Sequence, residues 1–296
     1  MISVLICSAN PVLLEQVTAS IKDTIGTDFE ILHFDNRTDK KGICQVYNEL
    51  AQHAEFNHLC FVHEDVLFQT HDWGKKLIET FNRNSRVGLI GVAGSKYKSR
   101  YFSGWYCNLK ELDCSNIVHR YSYGDRRHYL SPDDDREPQE VVCIDGVFMC
   151  CKKEVWQKIP FNEKEIKGFH FYDIDLSLRV ALQYTVLVTY DIDMIHITRG
   201  GDYGNNWLQS AIAFHVIHKS QLPYSILKSV PRKVESIIIR LWLDWLKDFR
   251  ITFSNKIKWI FMQNLHLHPG NYYSILKFLL YYPLGLKHVH DLFKKR

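Results

Sequence analysis

The residues best suited to do chemistry stand at the end of an apolar run in residues 59–67, LCFVHEDVL. Four apolar residues are followed there by His63, Glu64 and Asp65, which is the pattern of a buried strand that delivers polar groups at its C-terminal end. In an extended chain His63 and Asp65 project to the same side, so an imidazole and a carboxylate could share one divalent cation, while Glu64 faces the other way. The alternative is a strand that ends in solvated charges.

A second set of acidic residues lies in the run GFHFYDIDLSLRVALQY at residues 168–184. Apolar positions recur there at helical spacing and predict a helix with one buried face. Asp173 falls in the first turn of that helix, where the helix dipole stabilises an anion. Asp175 has Arg179 one turn ahead, so a surface ion pair is the expected role of Asp175, and Asp173 is the freer carboxylate.

The elements that must position these residues begin with alternating strands and helices. Apolar strand-like runs at residues 2–7, 29–34 and 59–62 are separated by helical patterns at 11–25 and 42–54. This β-α-β-α-β order predicts a parallel, doubly wound sheet, in which ligands bind at the C-terminal ends of the strands. Polar residues follow each of these strands: Ser8 and Asn10, Asp35 and Asn36, His63 and Asp65.

Beyond residue 67, the pattern predicts a helix at 73–81, strands at 87–92, 141–144, 147–151 and 184–190, and the helix described above. Residues 96–140 are rich in Tyr, Arg, Asp and Ser, and we expect an irregular, substrate-facing loop or lid there. Within it, Asp133, Asp134 and Asp135 are expected to form a solvated turn rather than a metal site. His196 follows the last predicted strand.

The composition is that of a globular protein with an unequal charge distribution. The chain has 296 residues, 46% of them hydrophobic, and a formal net charge of +4, which allows one large domain or a domain with an appendage. From residue 230 onward there are 12 Lys and Arg against 4 Asp and Glu, whereas residues 1–229 hold 25 against 29. The eight cysteines include no C-x-x-C pair, and several lie inside apolar strand-like runs, which is typical of small buried hydrophobic residues in a reducing compartment. The first residues have the pattern of a strand and not of a signal peptide, so we expect a chain that starts in the cytosol.

The basic C-terminal part is predicted to be helical and amphipathic. Apolar residues, two tryptophans among them, recur at helical spacing in residues 234–246 with basic residues around them. The apolar run at 272–286 is too interrupted to span a bilayer. Basic helices of this kind suit an anionic membrane surface, and the alternative is an appendage that packs on the core or on another subunit. The predicted division is therefore residues 1–220 and 221–296.

The order of these pieces resembles a family 2 glycosyltransferase of the GT-A type, closest to the subgroup related to the streptomycin-biosynthesis glycosyltransferase. ISVLICSAN at residues 2–10 stands where the family has its opening strand and nucleotide-binding turn, and FDN at 34–36 where an acidic residue contacts the base or ribose. GICQVYN at 42–48 matches the glycine-to-asparagine spacing of the next helix. HED at 63–65 occupies the position of the metal-binding D-x-D motif. No G-x-G-x-x-G follows the first strand and no G-x-x-x-x-G-K-[ST] occurs, which argues against dinucleotide-binding and P-loop proteins.

The resemblance covers residues 2–215 and implies a role for each candidate. Nucleotide-sugar contacts are implied for Ser8, Asn10, Asp35, Asn36, Asn48 and Glu64. Ligation of Mn²⁺ or Mg²⁺ is implied for Asp65, with His63 and His196 as further ligands. Contacts to the acceptor or donor sugar are implied for Asp145, Gly146, Tyr172 and Asp175, and Asp173 stands in the position of the catalytic base. Two positions depart from the family pattern: His63 replaces the first aspartate of D-x-D, and Tyr172 replaces the glutamate before the base.

The expected fold is α/β: a GT-A fold with a Rossmann-like, doubly wound, mostly parallel sheet and a C-terminal helical appendage. The resemblance implies a hexosyltransferase-type enzyme that moves one sugar, with inversion, from a nucleotide-diphosphate sugar to a hydroxyl of a glycan or lipid-linked acceptor in surface polysaccharide synthesis. Two other classes stay open, a non-catalytic GT-A-fold module that binds a nucleotide or glycan, and a nucleotidyltransferase. We expect a cytoplasmic protein, peripheral on the inner face of the cell membrane, that binds no nucleic acid. Whether it forms a homo-oligomer stays open.

Overall fold

The predicted β-α-β-α-β unit is present in the computed structural model, which describes residues 1–132, 136–198, 200 and 203–281. The Asp133-Asp134-Asp135 run and residues 282–296 of the C-terminal part lie outside the described residues. The strands, in chain order, are β1 (Ile2–Ser8), β2 (Phe29–Asp35), β3 (His58–His63), β4 (Val66–Phe68), β5 (Val87–Gly91), β6 (Ala93–Ser95), β7 (Tyr97–Lys98), β8 (Asp113–Tyr121), β9 (Gly124–Leu130), β10 (Gln139–Val141), β11 (Cys143–Ile144), β12 (Phe148–Lys152), β13 (Thr185–Val188), β14 (Met194–Ile197) and β15 (Tyr224–Ser225). The α-helices are α1 (Pro11–Thr24), α2 (Asn36–Asp39), α3 (Ile43–His53), α4 (Trp73–Arg83), α5 (Lys153–Lys158), α6 (Tyr172–Ala181), α7 (Asn205–Ile217), α8 (Val234–Leu246), α9 (Phe253–Met262) and α10 (Tyr272–Leu280).

Seven strands form the main sheet, in the order β10-β13-β5-β12-β3-β1-β2. β1 is parallel to β2 and β3, β13 is parallel to β5, and β12 is antiparallel to both β3 and β5. Five of the seven strands therefore run in one direction, which confirms the α/β fold with a mostly parallel sheet. The register places Cys7 beside His63 and Ser8 beside Asp35, so the C-terminal ends of the first three strands meet at one edge.

The prediction of an irregular loop at residues 96–140 is wrong for residues 113–130. β8 and β9 form an antiparallel hairpin in this segment. The hairpin joins a second sheet whose order is β11-β6-β8-β14-β4. β9 has the sequence GDRRHYL and is exposed in its first half. The backbone N–H and C=O groups of β9 form hydrogen bonds with β8, so this strand does not need an apolar pattern. Its composition therefore resembles that of a loop.

A further strand follows the one that the sequence predicts as the last. β14 pairs in parallel with β8 and antiparallel with β4. This register sets His196 beside His119 on one side and Val66 on the other. His196 therefore comes from the second sheet, whereas His63 comes from the main sheet, and the two sheets together determine how these residues meet.

The apolar stripe of α8 packs against the rest of the protein. Ile238, Trp242 and Leu246 are buried in one cluster with Trp207 and Phe214 of α7. The sequence leaves open whether this helix packs on the core or faces a membrane, and the apolar stripe of α8 packs on the core. The same apolar cluster contains residues from both sides of the boundary predicted at residue 220. In the described part of the chain, no helix combines the length and the apolar composition that crossing a membrane requires.

Candidate functional site

Two adjoining cavities open at the C-terminal ends of β1 and β3. The first has a volume of about 670 Å³ and is lined by residues that end or follow β1, β2 and β3. The second has a volume of about 530 Å³ and is lined by residues of the second sheet, α6, α7 and α8. His63 and Phe169 line both cavities, so the two meet at the end of β3. Volumes of this size are typical of small-molecule sites.

His63, Asp65 and His196 form a cluster at this junction. Each offers one ligand atom, and the three atoms lie within 4.8 Å of one another. His196 Nε2 is 3.2 Å from Asp65 Oδ2, and His63 Nδ1 is 3.9 Å from Asp65 Oδ1. His63 and Asp65 do face the same side, although Asp65 lies in a turn after β3 and not in an extended strand.

The chemistry of this cluster fits a divalent cation. Among the described residues, Asp65 Oδ1 and His196 Nδ1 are buried without a hydrogen-bond partner, whereas buried polar atoms are normally paired. Burial disfavours the charged form of Asp65, but the hydrogen bond and the charge of His196 outweigh it and hold the pKa of Asp65 below its usual value. An ionised carboxylate between two imidazoles is a donor set that transition-metal ions accept.

Tyr172 sets the orientation of His63. The Tyr172 hydroxyl donates to the Gly146 carbonyl at 3.2 Å and lies 2.6 Å from His63 Nε2. When the hydroxyl gives its one proton to the Gly146 carbonyl, His63 Nε2 donates to the phenol oxygen, and Nδ1 keeps its lone pair on the Asp65 side. Burial also lowers the pKa of His63, so the imidazole is neutral, as ligation requires.

Glu64 faces away from this cluster and closes the turn after β1. Its Oε2 accepts hydrogen bonds from Ser8 Oγ at 2.5 Å, from Ala9 N at 3.0 Å and from Asn10 N at 2.9 Å. Ser8 and Glu64 both line the first cavity, but the Ser8 hydroxyl already has its acceptor. Arg37 and Lys40 also line this cavity, and the sequence analysis did not select them.

Two of the predicted nucleotide contacts have structural roles instead. The Asn10 side chain caps α1 by accepting hydrogen bonds from the backbone N–H groups of Val12 and Leu13. Asn48 is buried and uses both ends of its amide to hold residues 156–163, accepting from Trp156 Nε1 at 3.0 Å and donating to the Phe161 carbonyl at 2.9 Å. The Asn48 amide is fully engaged and does not suit a ligand, and the sequence could not reveal partners so far away in the chain. The Asn10 side-chain oxygen is used by the helix cap.

Asp35 and Asn36, at the end of β2, are both held by neighbouring residues. Asn36 lines the cavity, but its side chain holds both the N–H and the carbonyl of Lys41. Asp35 is exposed and pairs with Arg37 at 2.5 Å. That hydrogen bond lowers the pKa of Asp35 to about 2. Arg37 is therefore held by Asp35 at the rim of the cavity.

Asp173 lies in the first turn of α6, as predicted, and lines the second cavity. Its Oδ2 accepts a hydrogen bond from the Gly146 N–H at 2.9 Å. Burial, and after it the charge of Asp145, raises the pKa of Asp173 to about 7. A side chain at Gly146 would meet the Tyr172 hydroxyl at 2.1 Å, so glycine is what lets Tyr172 and Asp173 approach this backbone. A carboxylate with a pKa near neutrality is suited to accept a proton.

Asp145 also lines the second cavity and is held from two sides. Its Oδ2 accepts a hydrogen bond from Trp105 Nε1 at 2.7 Å, and its Oδ1 accepts one from Val147 N at 2.9 Å. Both oxygens keep acceptor capacity for a ligand hydroxyl.

Asp175 does not have the surface role that its spacing predicts. Its side chain is fully buried, with Arg179 Nη2 at 2.7 Å and His218 Nε2 at 2.8 Å. His218 lies just beyond α7, so the carboxylate ties α6 to the C-terminal part of the protein. Asp175 is not among the residues that line either cavity, and the implied sugar contact is therefore wrong. The helix turns the side chain of Asp175 about 200° away from that of Asp173.

The aromatic residues of the second cavity are the main feature that the sequence analysis missed. Apart from Tyr172 they are Trp105, Tyr106, Tyr121, Phe169, Phe171, Tyr203, Trp207, Trp242 and Trp245. In the sequence, those of α8 follow a helical stripe, which indicates a core position as readily as a site. The β8–β9 hairpin adds His119, Arg126 and His128. The one available signal was the number of tryptophans, because four of the seven in the chain line this cavity.

Comparisons with known proteins agree with this architecture. The profile of a family described as glycosyltransferase-like matches residues 3–205. The fold is similar to that of GalNAc-T7 in a crystal structure with UDP, GalNAc and Mn²⁺, with a TM-score of 0.51 and 11% identity over 80% of this chain and 53% of that chain. It is also similar to residues 1–349 of S. aureus TarS, with a TM-score of 0.51 and 12% identity over 96% of this chain and 91% of that chain. The protein spans about half the length of the GalNAc-T7 chain. A search of curated proteins gave no match.

Replacing Tyr172 with phenylalanine should weaken Mn²⁺ binding by about 10- to 100-fold, because His63 loses the partner that orients it. The ring itself still packs beside Tyr47 and Phe161, so the fold should persist. Mn²⁺ affinity is measured by the electron paramagnetic resonance signal of the free ion. Tyr184→Phe, at a residue that lines neither cavity, is the matched control and should leave the affinity unchanged. Equal Mn²⁺ affinity of Tyr172→Phe and the parent protein would contradict this role.

Proposed function

The chain belongs to the glycosyltransferase-like family whose profile matches residues 3–205, and we propose that it transfers one sugar from a nucleoside-diphosphate sugar to a hydroxyl group, with inversion at the anomeric carbon. The observation that carries this proposal is the meeting of the two cavities at the cluster of His63, Asp65 and His196, with Asp173 among the residues that line the second cavity. The nucleotide then occupies the first cavity, and the reacting sugar and the acceptor occupy the second.

Of the two metals that the resemblance implies, Mn²⁺ fits this cluster better. Two imidazoles and one carboxylate favour Mn²⁺ over Mg²⁺, because Mg²⁺ prefers oxygen ligands throughout. A divalent cation bound there would neutralise the negative charge that develops on the diphosphate leaving group. The structure of GalNAc-T7, which has a similar fold, contains UDP, GalNAc and Mn²⁺, and this supports the choice of donor class and metal.

Asp173 is the proposed general base. An acceptor hydroxyl has a pKa far above neutrality and loses its proton as it attacks, so a carboxylate within reach must receive that proton. Asp173 combines a position in the second cavity with a pKa raised to about 7. The hydrogen bond from Gly146 N–H holds one of its oxygens in place, and direct displacement with such a base inverts the anomeric centre.

Two finer parts of the proposal rest on the resemblance described in the sequence analysis. These are transfer of a hexose, and a product that belongs to surface polysaccharide, as expected for the subgroup related to the streptomycin-biosynthesis glycosyltransferase. Both concern the identity of donor and product, and the geometry of the cavities supports only their general class.

The outer face of the C-terminal helices supports a peripheral position on an anionic membrane. α10 buries Ile275 and Phe278 but exposes Tyr273 by 70% and Leu276 by 55%. The short turn of Leu265–Leu267 that contacts α9 exposes Leu267 by 64%. The same part of the chain carries the excess of basic residues, 12 Lys and Arg against 4 Asp and Glu from residue 230. Exposed apolar side chains within a basic segment match the interface of an anionic bilayer.

The proposed function is tested by the release of nucleoside diphosphate from a panel of nucleoside-diphosphate hexoses with Mn²⁺. An active transferase should release it slowly even without acceptor, and Asp65→Ala should abolish the release while the melting temperature stays near that of the parent. Glu165→Ala, an exposed carboxylate outside both cavities, is the control. Binding of the nucleotide without any release would favour a binding module, and release of pyrophosphate from nucleoside triphosphates would favour a nucleotidyltransferase.

Asp173→Asn should lower turnover by about 10² to 10⁴, with little change in donor affinity. In the parent protein, activity should rise with pH through about 7, because the carboxylate must be ionised to accept the proton. Asp175→Asn is the comparison two residues along the same helix. It should retain more activity but unfold at lower urea, since breaking a buried charge pair costs on the order of 3 kcal/mol. The reverse pattern in the two variants would identify Asp175 as the base.

The membrane position predicts that the full chain floats with vesicles that contain phosphatidylglycerol and not with neutral phosphatidylcholine vesicles. Salt should weaken the association, because it screens surface charges. The double substitution Tyr273→Ser and Leu276→Ser should reduce recovery several-fold, since it removes exposed apolar area without touching the core. Val12→Ser, at an exposed apolar residue on α1, is the control. Equal recovery of the double variant and the parent would contradict the membrane position.

A further inference from the structure

The second cavity has an aromatic part and a polar part, which come from different elements. The aromatic part that reaches solvent is half-exposed and consists of Trp105, Tyr106, Tyr203 and Trp245, which we call the aromatic wall. The polar part comes from α6, the second sheet and the loop before β12, and consists of Ser115, His119, Arg126, His128, Asp145, Asp173 and Thr198.

The aromatic wall is rigid before any ligand binds. Trp242 lies behind it, stacked on Trp207 at 4.9 Å and on Trp245 at 5.3 Å between ring centroids. Trp242 Nε1 donates to the Tyr106 carbonyl at 3.1 Å, and Trp105 Nε1 donates to Asp145 at 2.7 Å. These contacts fix the rings in place, so little conformational entropy is lost when a ligand packs on them.

Close packing of the loop on α8 depends on a glycine. A side chain at Gly104 would meet Trp242 Cη2 at 2.7 Å and Cζ2 at 2.9 Å. The loop that carries Trp105 and Tyr106 can therefore lie against α8 only because residue 104 has no Cβ. The C-terminal helices thus build one side of the reacting cavity in addition to packing on the core.

We propose that the acceptor is itself a sugar, and that its pyranose ring packs on the aromatic wall with its hydroxyl groups turned to the polar part of the cavity. This inference rests on the proposed function and names the substrate class of the same site. A pyranose ring has an apolar face of C–H groups and a rim of hydroxyls, which matches an aromatic surface beside hydrogen-bonding groups.

The polar part of the cavity decides between a sugar and the hydrocarbon of a lipid-linked acceptor. Asp145 and Asp173 already accept hydrogen bonds from the protein, but their carboxylates keep acceptor capacity that hydroxyl donors or water fill. An alkyl or prenyl chain placed there would remove the water without supplying donors, at a considerable loss of affinity. Arg126 is exposed at this cavity and takes part in no ion pair within the residues that the structure describes, so it is available to donate to sugar oxygens. His128 lies nearby and is paired with Ser115 at 3.1 Å.

Trp245 is the residue that tests this proposal best. Trp245 is half-exposed, and its ring centroid lies 6.0 Å from that of Tyr106 and 5.2 Å from that of Tyr203. It belongs neither to the metal cluster nor to the residues that hydrogen-bond Asp173. Its replacement should therefore change the affinity for the acceptor and leave the metal cluster and the first cavity intact.

The experiment uses the full chain with maltose, cellobiose and lactose as sugar probes and farnesyl phosphate as the lipid probe. Binding is followed by saturation-transfer NMR and by tryptophan fluorescence. The disaccharides should receive saturation at their ring C–H protons, and Trp245→Ala should weaken the best disaccharide by about tenfold. Trp245→Leu, which keeps apolar volume but has no planar face, should weaken it similarly. Trp245→Tyr should restore most of the affinity, and Phe253→Ala, at an exposed ring outside both cavities, should change nothing.

Two results would overturn the proposal. One is that farnesyl phosphate binds in a manner that depends on Trp245 while the disaccharides do not bind. The other is that the disaccharides bind equally well to the parent and to all Trp245 variants. Release of nucleoside diphosphate is measured on the same preparations to separate this inference from the proposed function. Release of nucleoside diphosphate without disaccharide binding at Trp245 contradicts the sugar acceptor but leaves the proposed transferase function standing. Disaccharide binding at Trp245 without release supports the sugar site and contradicts the transferase.

Discussion

Asp65 has to remain ionised in a position that is largely shielded from water, and the two histidines beside it are what permit this. His196 hydrogen-bonds one carboxylate oxygen, and His63 approaches the other. The first histidine belongs to the second sheet and the second to the main sheet, so the cluster exists only where the two sheets meet. The short strand β4, which follows Asp65 directly, pairs with β14 and thereby brings His196 to the end of β3. A change that shifts this pairing would separate the cluster even with every residue of the main sheet in place.

In the second cavity the pKa of a buried carboxylate is raised and not lowered. Burial disfavours the charged form of Asp173, and Asp145 adds a second negative charge nearby, so the pKa of Asp173 is about 7 in the folded protein against 3.8 for an ordinary aspartate. A raised folded pKa means that Asp173 favours the native state when it is protonated, and that this contribution is lost as pH rises from about 4 through about 7. The protein is therefore less stable at the pH where a base is useful. Such a loss of stability is a common consequence of building reactive groups into an interior.

The C-terminal helices serve two environments at once. The inner face of α8 contributes Trp242 to the core and Trp245 to the second cavity, while α10 turns Ile275 and Phe278 inward and Tyr273 and Leu276 outward. The two interpretations that the sequence left open, packing on the core and contact with a membrane, are therefore compatible, because a helix has two faces. Sequence periodicity identified the amphipathic pattern but not what each face touches.

The sequence by itself determined the β-α-β-α-β start, the polar strand ends and the position of Asp173 in the first turn of its helix. Each of these depends on local information, namely the period of apolar residues, capping residues and chain breaks. It could not determine that Asp175 is buried against His218, that Asn48 holds the loop at Phe161, or that residues 113–130 form a hairpin. Only the tertiary structure decided these points, because each depends on a partner that is distant in sequence. The same holds for the site as a whole: His63, Asp65 and His196 are separated by up to 133 positions, and only the pairing of β14 with β4 and β8 brings them within reach of one ion.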